Sequence, residues 1–369
     1  MKLPNIQILR AVAALAVVFY HTGIETSELC KASGWECKLG DWLGALGVSL
    51  FFIISGFIMV VTSWNHFGKA GASKEFMKRR LYRIAPLYWV LTTATLCGIL
   101  VAPWIFNAPM LRFDYLAGSY LFWPVMRDDG LIRPVMKLGW TLNYEMFFYL
   151  VFAAALLFRR WAGLAFAVFV LIAMMTLRAT GVFAGSATAL QFWSDPIILN
   201  FVIGIAAGIF HMKGLRIKAR ASLFLCLVAI TGILAVEMNS FALRGISEDS
   251  FVSRLIIAGP MAVLFLAASF GRQLTSSSVW MRSALLLGDA SYSLYLVHPF
   301  ALRGTRAMWL KLVGADVSVW LFYALCATLA VFAGVMCYLV IERPVARFFA
   351  RLDKAKDHLP QPTVQVSAT

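Results

Sequence analysis

The sequence predicts an all-α, polytopic integral membrane protein of about ten transmembrane helices with both termini in the cytoplasm. Three observations predict it. Hydrophobic residues make up 61% of the 369 and charged residues only 14%, against roughly 45–50% and about 25% in ordinary soluble domains, so a water-soluble fold could not bury the apolar surface. Apolar runs near or above ~18 residues recur along the whole length, enough to cross a ~30 Å hydrocarbon layer. The basic residues behind the net charge of +15 lie in short connections between these runs, where they orient helices better than they would bind nucleic acid.

In order, the spans fall at roughly 6–24, 42–63, 84–103, 140–158, 161–179, 194–211, 221–238, 251–270, 284–302 and 317–341. The connections at 74–83 (KEFMKRRLYR), 159–160 (RR) and 211–220 (HMKGLRIKAR), and the tail at 343–356, are strongly basic. Those at 25–37 and 247–250 are acidic or mixed. By the positive-inside rule both termini then face the cytoplasm, as an even number of spans requires.

Arg10 interrupts the first apolar stretch and no small-residue cleavage site follows, so that stretch reads as an uncleaved span rather than a signal peptide. Residues 1–350 read as one membrane domain, and 351–369, ending HLPQPTVQVSAT, as a disordered cytoplasmic tail. There is no convincing internal repeat, which weakens a transporter built from duplicated halves. Cys97, Cys226, Cys326 and Cys337 fall within spans and read as packing residues. Cys30 and Cys37 share the first outer connection, as a disulfide or as two free thiols.

Charged groups inside spans are costly unless they meet a partner or a wet cavity, which makes them functional candidates. Arg10 and His21 are eleven residues apart on the first span, on one face and roughly 16 Å apart along the axis. Glu145, in GWTLNYEMFFY, counts to the same depth as His21, and a carboxylate beside an imidazole is the usual general-base pair. The alternative is a hydrogen bond that ties two helices together. No His, Cys, Asp or Glu set has metal-ligand spacing, so no metal is expected.

Arg79, Arg80 and Arg83 open the third span, and Arg80 and Arg83 project from one helical face. Such a cluster forks onto phosphate, or orients the helix against headgroups. Ser55 and Gly56 in FFIISGF read as small residues for close packing before a nucleophilic serine. His298, near the outer end of LGDASYSLYLVHP, lines the same cavity or anchors at the interface. Trp104, Trp123 and Trp140 offer flat faces for sugar rings or serve as interface anchors, the anchor being preferred for Trp104 and Trp123.

LRAVAALAVVFYH, GVSLFFIISGFIM, RRLYRIAPLYW, GWTLNYEMFFY and LGDASYSLYLVHP, in this order, resemble the acyltransferase-3 family of bacterial membrane acyltransferases over nearly the whole chain. NYEMFFYLVF and IERP most resemble its exopolysaccharide-acetylating, succinoglycan-type branch. The resemblance implies a bacterial inner-membrane enzyme that moves an acyl group, usually acetyl from acetyl-coenzyme A, to a sugar hydroxyl of a lipid-linked or exported glycan. It carries a catalytic role to Arg10, His21 and Glu145 and coenzyme A binding to Arg80 and Arg83, with Arg79 beside them. Trp140, Asn143 and His298 are the acceptor-side candidates.

Many family members have a serine after the tryptophan and a second glutamate, where this chain has Thr141 and Met146. A mechanism needing adjacent carboxylates does not apply to it. Lacking the family's optional hydrolase-like domain, the chain is expected to finish transfer within the membrane domain or on a soluble partner. Other expected partners are membrane lipids, with no nucleic acid. The rival expectation is a proton-coupled transporter of a glycan or lipid-linked saccharide, with Arg10, His21 and Glu145 as a proton relay.

Overall fold

The computed structural model describes residues 3–32, 34, 37, 42–101, 111–183, 185–186, 188–239, 250–275, 277–314 and 318–357. Among these the regular structure is helical, and extended pairing is confined to an isolated antiparallel bridge between Met126 and Ile132. In chain order the helices are α1 (Pro4–Ala32), α2 (Leu43–Ser63), α3 (Ala72–Val101), α4 (Phe113–Leu121), α5 (Trp140–Ala155), α6 (Arg160–Ala179) and α7 (Thr188–Trp193). They continue with α8 (Leu199–Met212), α9 (Ala219–Met238), α10 (Phe251–Phe270), α11 (Val279–Asp289), α12 (Ser291–Leu312), α13 (Val319–Cys337) and α14 (Arg343–Asp357).

Seven helical segments among the described residues are long and apolar enough to cross a membrane: α1, α2, α3, α6, α9, α10 and the continuous stretch Val319–Leu352. The other three expected spans take other forms. The fourth is the 16-residue α5, and the sixth is a 3-10 turn at Pro196–Ile198 continued by α8. The ninth, expected unbroken over 284–302, divides at Ala290 into α11 and α12. Just before the break, at Gly288, a Cβ would overlap the Gln7 carbonyl of α1, so glycine is what lets the two backbones meet there.

Helix α2 is the hub. Of its apolar window 78% is buried, against 11% for α9, so α2 is enclosed by protein and α9 presents its side chains to lipid. Gly56 of α2 faces Gly204 of α8, each leaving no room for a Cβ against the other helix's backbone. Small residues permit this approach where lipid supplies no hydrophobic drive between helices. Phe201 fills the adjoining space, stacked on Phe148 at 4.3 Å and Phe52 at 4.6 Å. Gly204→Val is therefore expected to destabilise the fold by about 1–3 kcal/mol, read as a lower melting temperature in detergent.

Three further results bear on the site. Helix α3 begins at Ala72, well before the expected start of the third span, so Arg79, Arg80 and Arg83 are helical, with Pro86 inside the same helix. Cys30 and Cys37 form a disulfide with Cα atoms 5.9 Å apart, settling the alternative left open by the sequence. The expected tail is helical through Asp357 in α14, docked by Phe349 stacking on Tyr82 of α3 at 4.2 Å. Residues 358–369 of that tail, and Trp104, lie outside the described residues.

Candidate functional site

A cavity of about 140 Å³ opens between α1, α2, α3, α5 and α12. Its wall carries Arg10, Ser55, Arg80, Arg83, Glu145 and Tyr149 beside the hydroxyls of Thr141, Ser291 and Tyr295. Arg10 comes from the first third of α1. Its guanidinium donates to Gln7 Oε1 at 3.0 Å and Ser291 Oγ at 2.8 Å, and Gln7 in turn donates to Asp289. The α11–α12 break thus supplies both the hydroxyl and the carboxylate that anchor Arg10.

Arg80 lies over the rings of Phe76 and Tyr149 at 5.4 and 5.9 Å. Its Nε is buried with no hydrogen-bond partner. Arg83 faces the same cavity, within electrostatic reach of Arg10, Glu145 and Glu342, and makes no ion pair among the described residues. Guanidinium donors left without protein acceptors match an anionic ligand. Arg80 also borders a second cavity of about 360 Å³, lined by Thr62, His66, Lys69, Glu75 and Arg79. Arg79 belongs to that one: it pairs with Glu75 at 3.1 Å and is 60% exposed.

The structure corrects the expected pairing of His21 with Glu145. Glu145 accepts a hydrogen bond from Ser55 Oγ at 2.6 Å, neighbours Tyr149 and faces Arg80 and Arg83. His21 instead places Nδ1 2.9 Å from the Val17 carbonyl, and its ring centroid lies 4.9 Å from that of His298. His298 repeats the arrangement, with Nδ1 3.0 Å from the Leu294 carbonyl. A carbonyl can only accept, so in both rings Nδ1 carries the hydrogen and Nε2 presents its lone pair. His298 is fully buried and its Nε2 has no partner.

Tyr295 stands between the two halves of this region. Its hydroxyl meets that of Thr141 at 2.8 Å, and its ring packs 5.9 Å from Phe51 and 6.2 Å from His298. The arginine cavity reaches Tyr295, whereas neither imidazole is on its wall. The cavity therefore ends at Tyr295, with the packed imidazoles beyond it.

The other two acceptor-side candidates, like His298, are not on the wall of this cavity. Trp140 packs edge-on to Tyr144 at 6.0 Å. Asn143 is buried, its side-chain oxygen without a hydrogen-bond partner, and its backbone carbonyl accepts from the Trp193 indole at 3.2 Å. Trp123 packs edge-on to Trp193 at 4.8 Å.

Sequence reasoning missed Glu342, which lies on the π-helical turn Tyr338–Glu342 between α13 and α14. It accepts from the Ser293 amide at 3.2 Å and the Ser293 hydroxyl at 2.5 Å, within electrostatic reach of Arg10 and Arg83. The available signal was a glutamate in IERP at the end of an apolar run; the π turn that carries it, of a kind often found at functional sites, shows only in the structure.

This polar interior, enclosed by apolar helices, coincides with a sequence match. Residues 3–339 match the acyltransferase-3 model, described as an acyltransferase domain. The chain belongs to the acyltransferase-3 family. It is 32% identical over 312 residues to the exopolysaccharide production protein ExoZ of Rhizobium meliloti, covering 83% of this chain and 90% of that one. It is 26% identical to the acyltransferase MdmB of Streptomyces mycarofaciens over 98% of both chains. The O-acetyltransferase OatA of Staphylococcus aureus matches at 26% identity over 80% of this chain, which spans only 50% of OatA's length. No solved structure matches. This acyltransferase-3 chain is thus a multi-pass membrane acyltransferase whose Arg10, Arg80, Arg83 and Glu145 share one enclosed cavity.

Proposed function

We propose that this acyltransferase moves an acetyl group from acetyl-coenzyme A in the cytoplasm to a hydroxyl of an exopolysaccharide or another surface glycan, and that it resides in the inner membrane with both termini cytoplasmic. The names of ExoZ and OatA support the acceptor class and the acetyl group. One observation carries the mechanism. Two adjacent imidazoles have their Nδ1 atoms committed to backbone carbonyls and their Nε2 lone pairs uncommitted, beyond a cavity lined by arginines.

In this reading the phosphates of coenzyme A lie against Arg80 and Arg83 in the cavity that opens on the cytoplasmic side, with Arg79 and Lys69 lining the neighbouring one. The pantetheine arm extends past Arg10 towards Tyr295, over a distance near the roughly 16 Å that separates Arg10 from His21. Movement of Tyr295 extends the cavity to the imidazoles and brings the thioester to them. Glu145 does not orient His21. Its carboxylate, held by Ser55, balances and positions Arg80 and Arg83.

His21 Nε2 takes the proton of the sugar hydroxyl as the oxygen attacks the thioester carbonyl. The carbon–sulfur bond breaks, the acetyl group stays on the sugar oxygen, and the coenzyme A thiolate recovers the proton from the imidazolium. His298, buried against His21, keeps water out and holds the His21 ring in register.

Purified protein in detergent, given acetyl-coenzyme A and glycan extracted from the source strain lacking this protein, tests the reading. Thiol release that requires the glycan, with an acetyl gain on it by mass spectrometry, is the expected result. Absence of thiol release with every acceptor fraction overturns it.

A further inference from the structure

The end of the bundle that holds the imidazoles is ringed by cations, and pairing divides them. Arg112 is tied to Asp114 and Asp128, each at 2.9 Å, and Arg127 to Asp129 at 3.0 Å. Lys31 meets Glu28 at 2.8 Å and Arg306 meets Glu25 at 2.9 Å. Arg133 and Lys137 are exposed and meet no carboxylate among the described residues. Arg303, its side chain 50% exposed, reaches Glu25 only at 3.7 Å, on a carboxylate that Arg306 already holds.

Weakly paired cations stand beside the imidazoles. Glu25 lies one turn beyond His21 on α1, so Arg303 at that carboxylate is about a turn from the ring. The charges of Arg303 and Arg133 both act on His21. Lys137 immediately precedes Leu138, whose carbonyl accepts from the Tyr295 hydroxyl at 3.4 Å, and Tyr295 packs against His298. Partial burial, then the charges of Arg303, Arg127 and Arg133, hold the Lys137 ammonium below the usual lysine range, with Asp129 opposing them.

Like charges gathered without counter-ions repel one another, and a cleft lined by one sign of charge concentrates ligands of the other. The orientation proposed above makes this the outer end, where the positive-inside preference disfavours basic residues. Their placement there calls for a ligand.

We propose that Arg133, Lys137 and Arg303 form an anion-binding collar at the acceptor mouth, and that the acceptor is an acidic glycan. Near the hydroxyl to be acetylated it presents either a carboxylate of its own or the phosphate of its lipid carrier. This rests on the transferase reading and names its acceptor class.

The test uses the full chain in nanodiscs, labelled acetyl-coenzyme A, and lipid-linked glycan from the source strain lacking this protein. The glycan is offered in three forms: intact, carboxyl-reduced, and released from the lipid with its phosphate removed. The double variant Arg133→Gln, Lys137→Gln is expected to raise KM for the intact acceptor about tenfold. Its kcat and its KM for acetyl-coenzyme A stay unchanged, which also reports an intact fold.

With the wild-type protein, stripping the recognised anion raises KM by at least that factor. In the double variant that stripping adds only the smaller share left to Arg303, and the form that behaves this way identifies the anion. Equal KM values for all three forms, or wild-type KM in the double variant, overturn the collar and leave the transferase reading standing. No transfer to any form overturns the transferase reading, and the collar with it.

Discussion

His21→Ala is expected to lower kcat for acetyl transfer by ~10²–10⁴-fold, the contribution of a positioned general base. The KM for acetyl-coenzyme A should hardly move, because the ring is not on the wall of the arginine cavity. The structural cost should be small as well. The one hydrogen bond the ring makes among the described residues is to the Val17 carbonyl of its own helix. A loss confined to kcat marks an interaction made in the transition state. Rates from single-turnover transfer to the glycan, with melting temperature as the control for folding, decide the matter. A kcat within about threefold of wild type would remove His21 from the chemistry.

The second large effect is expected on donor binding. In Arg80→Ala, Arg83→Ala the affinity for coenzyme A should fall by ~10²-fold or more, since each charge-assisted contact contributes about 1.5–3 kcal/mol. Arg83→Lys keeps the charge but loses the planar fork, so its loss should be intermediate. Isothermal titration with coenzyme A measures both. The wild-type affinity should weaken as salt rises, and that slope should be shallower in the double variant. Unchanged affinity in the double variant would show that the buried, partnerless Nε of Arg80 serves some purpose other than holding phosphate.

The site was partly legible in the sequence, and its misread part has a definite cause. Arg10, Arg80, Arg83 and Glu145 were identifiable one at a time, because a charge in an apolar run is costly wherever it sits. Their grouping was not. Counting residues from the membrane surface placed Glu145 level with His21, which assumes complete, upright helices. In the folded chain α5 is a short helix entered through a 3-10 turn at Lys137–Gly139, and α3 begins early enough to carry Arg80 to it. Glu145 therefore meets Ser55 and the arginines, while His21 meets His298. Ser55 was read as a packing residue, yet its hydroxyl holds that carboxylate. Gly56 beside it packs as expected.

Glu342 is a second instance. At the end of an apolar run and before a basic tail, it reads as a residue of the membrane surface. The π turn Tyr338–Glu342 places it at the Ser293 amide and hydroxyl instead. One extra residue in a helical turn rotates everything after it, and no hydropathy pattern records that rotation.

By itself the sequence determined the all-helical membrane class, the family, and the identity of the ionisable groups set in apolar surroundings. These follow from composition and residue type, which act locally through the cost of exposing polar groups to hydrocarbon. Only the tertiary structure decided which of those groups face one another, where the cavity ends at Tyr295, and that the Cys30 and Cys37 thiols are joined. Those outcomes depend on helix breaks and on close backbone approaches, at Gly288 against Gln7 and Gly56 against Gly204. Contacts of that kind join residues distant in the chain, and steric fit sets them where hydrophobicity alone cannot.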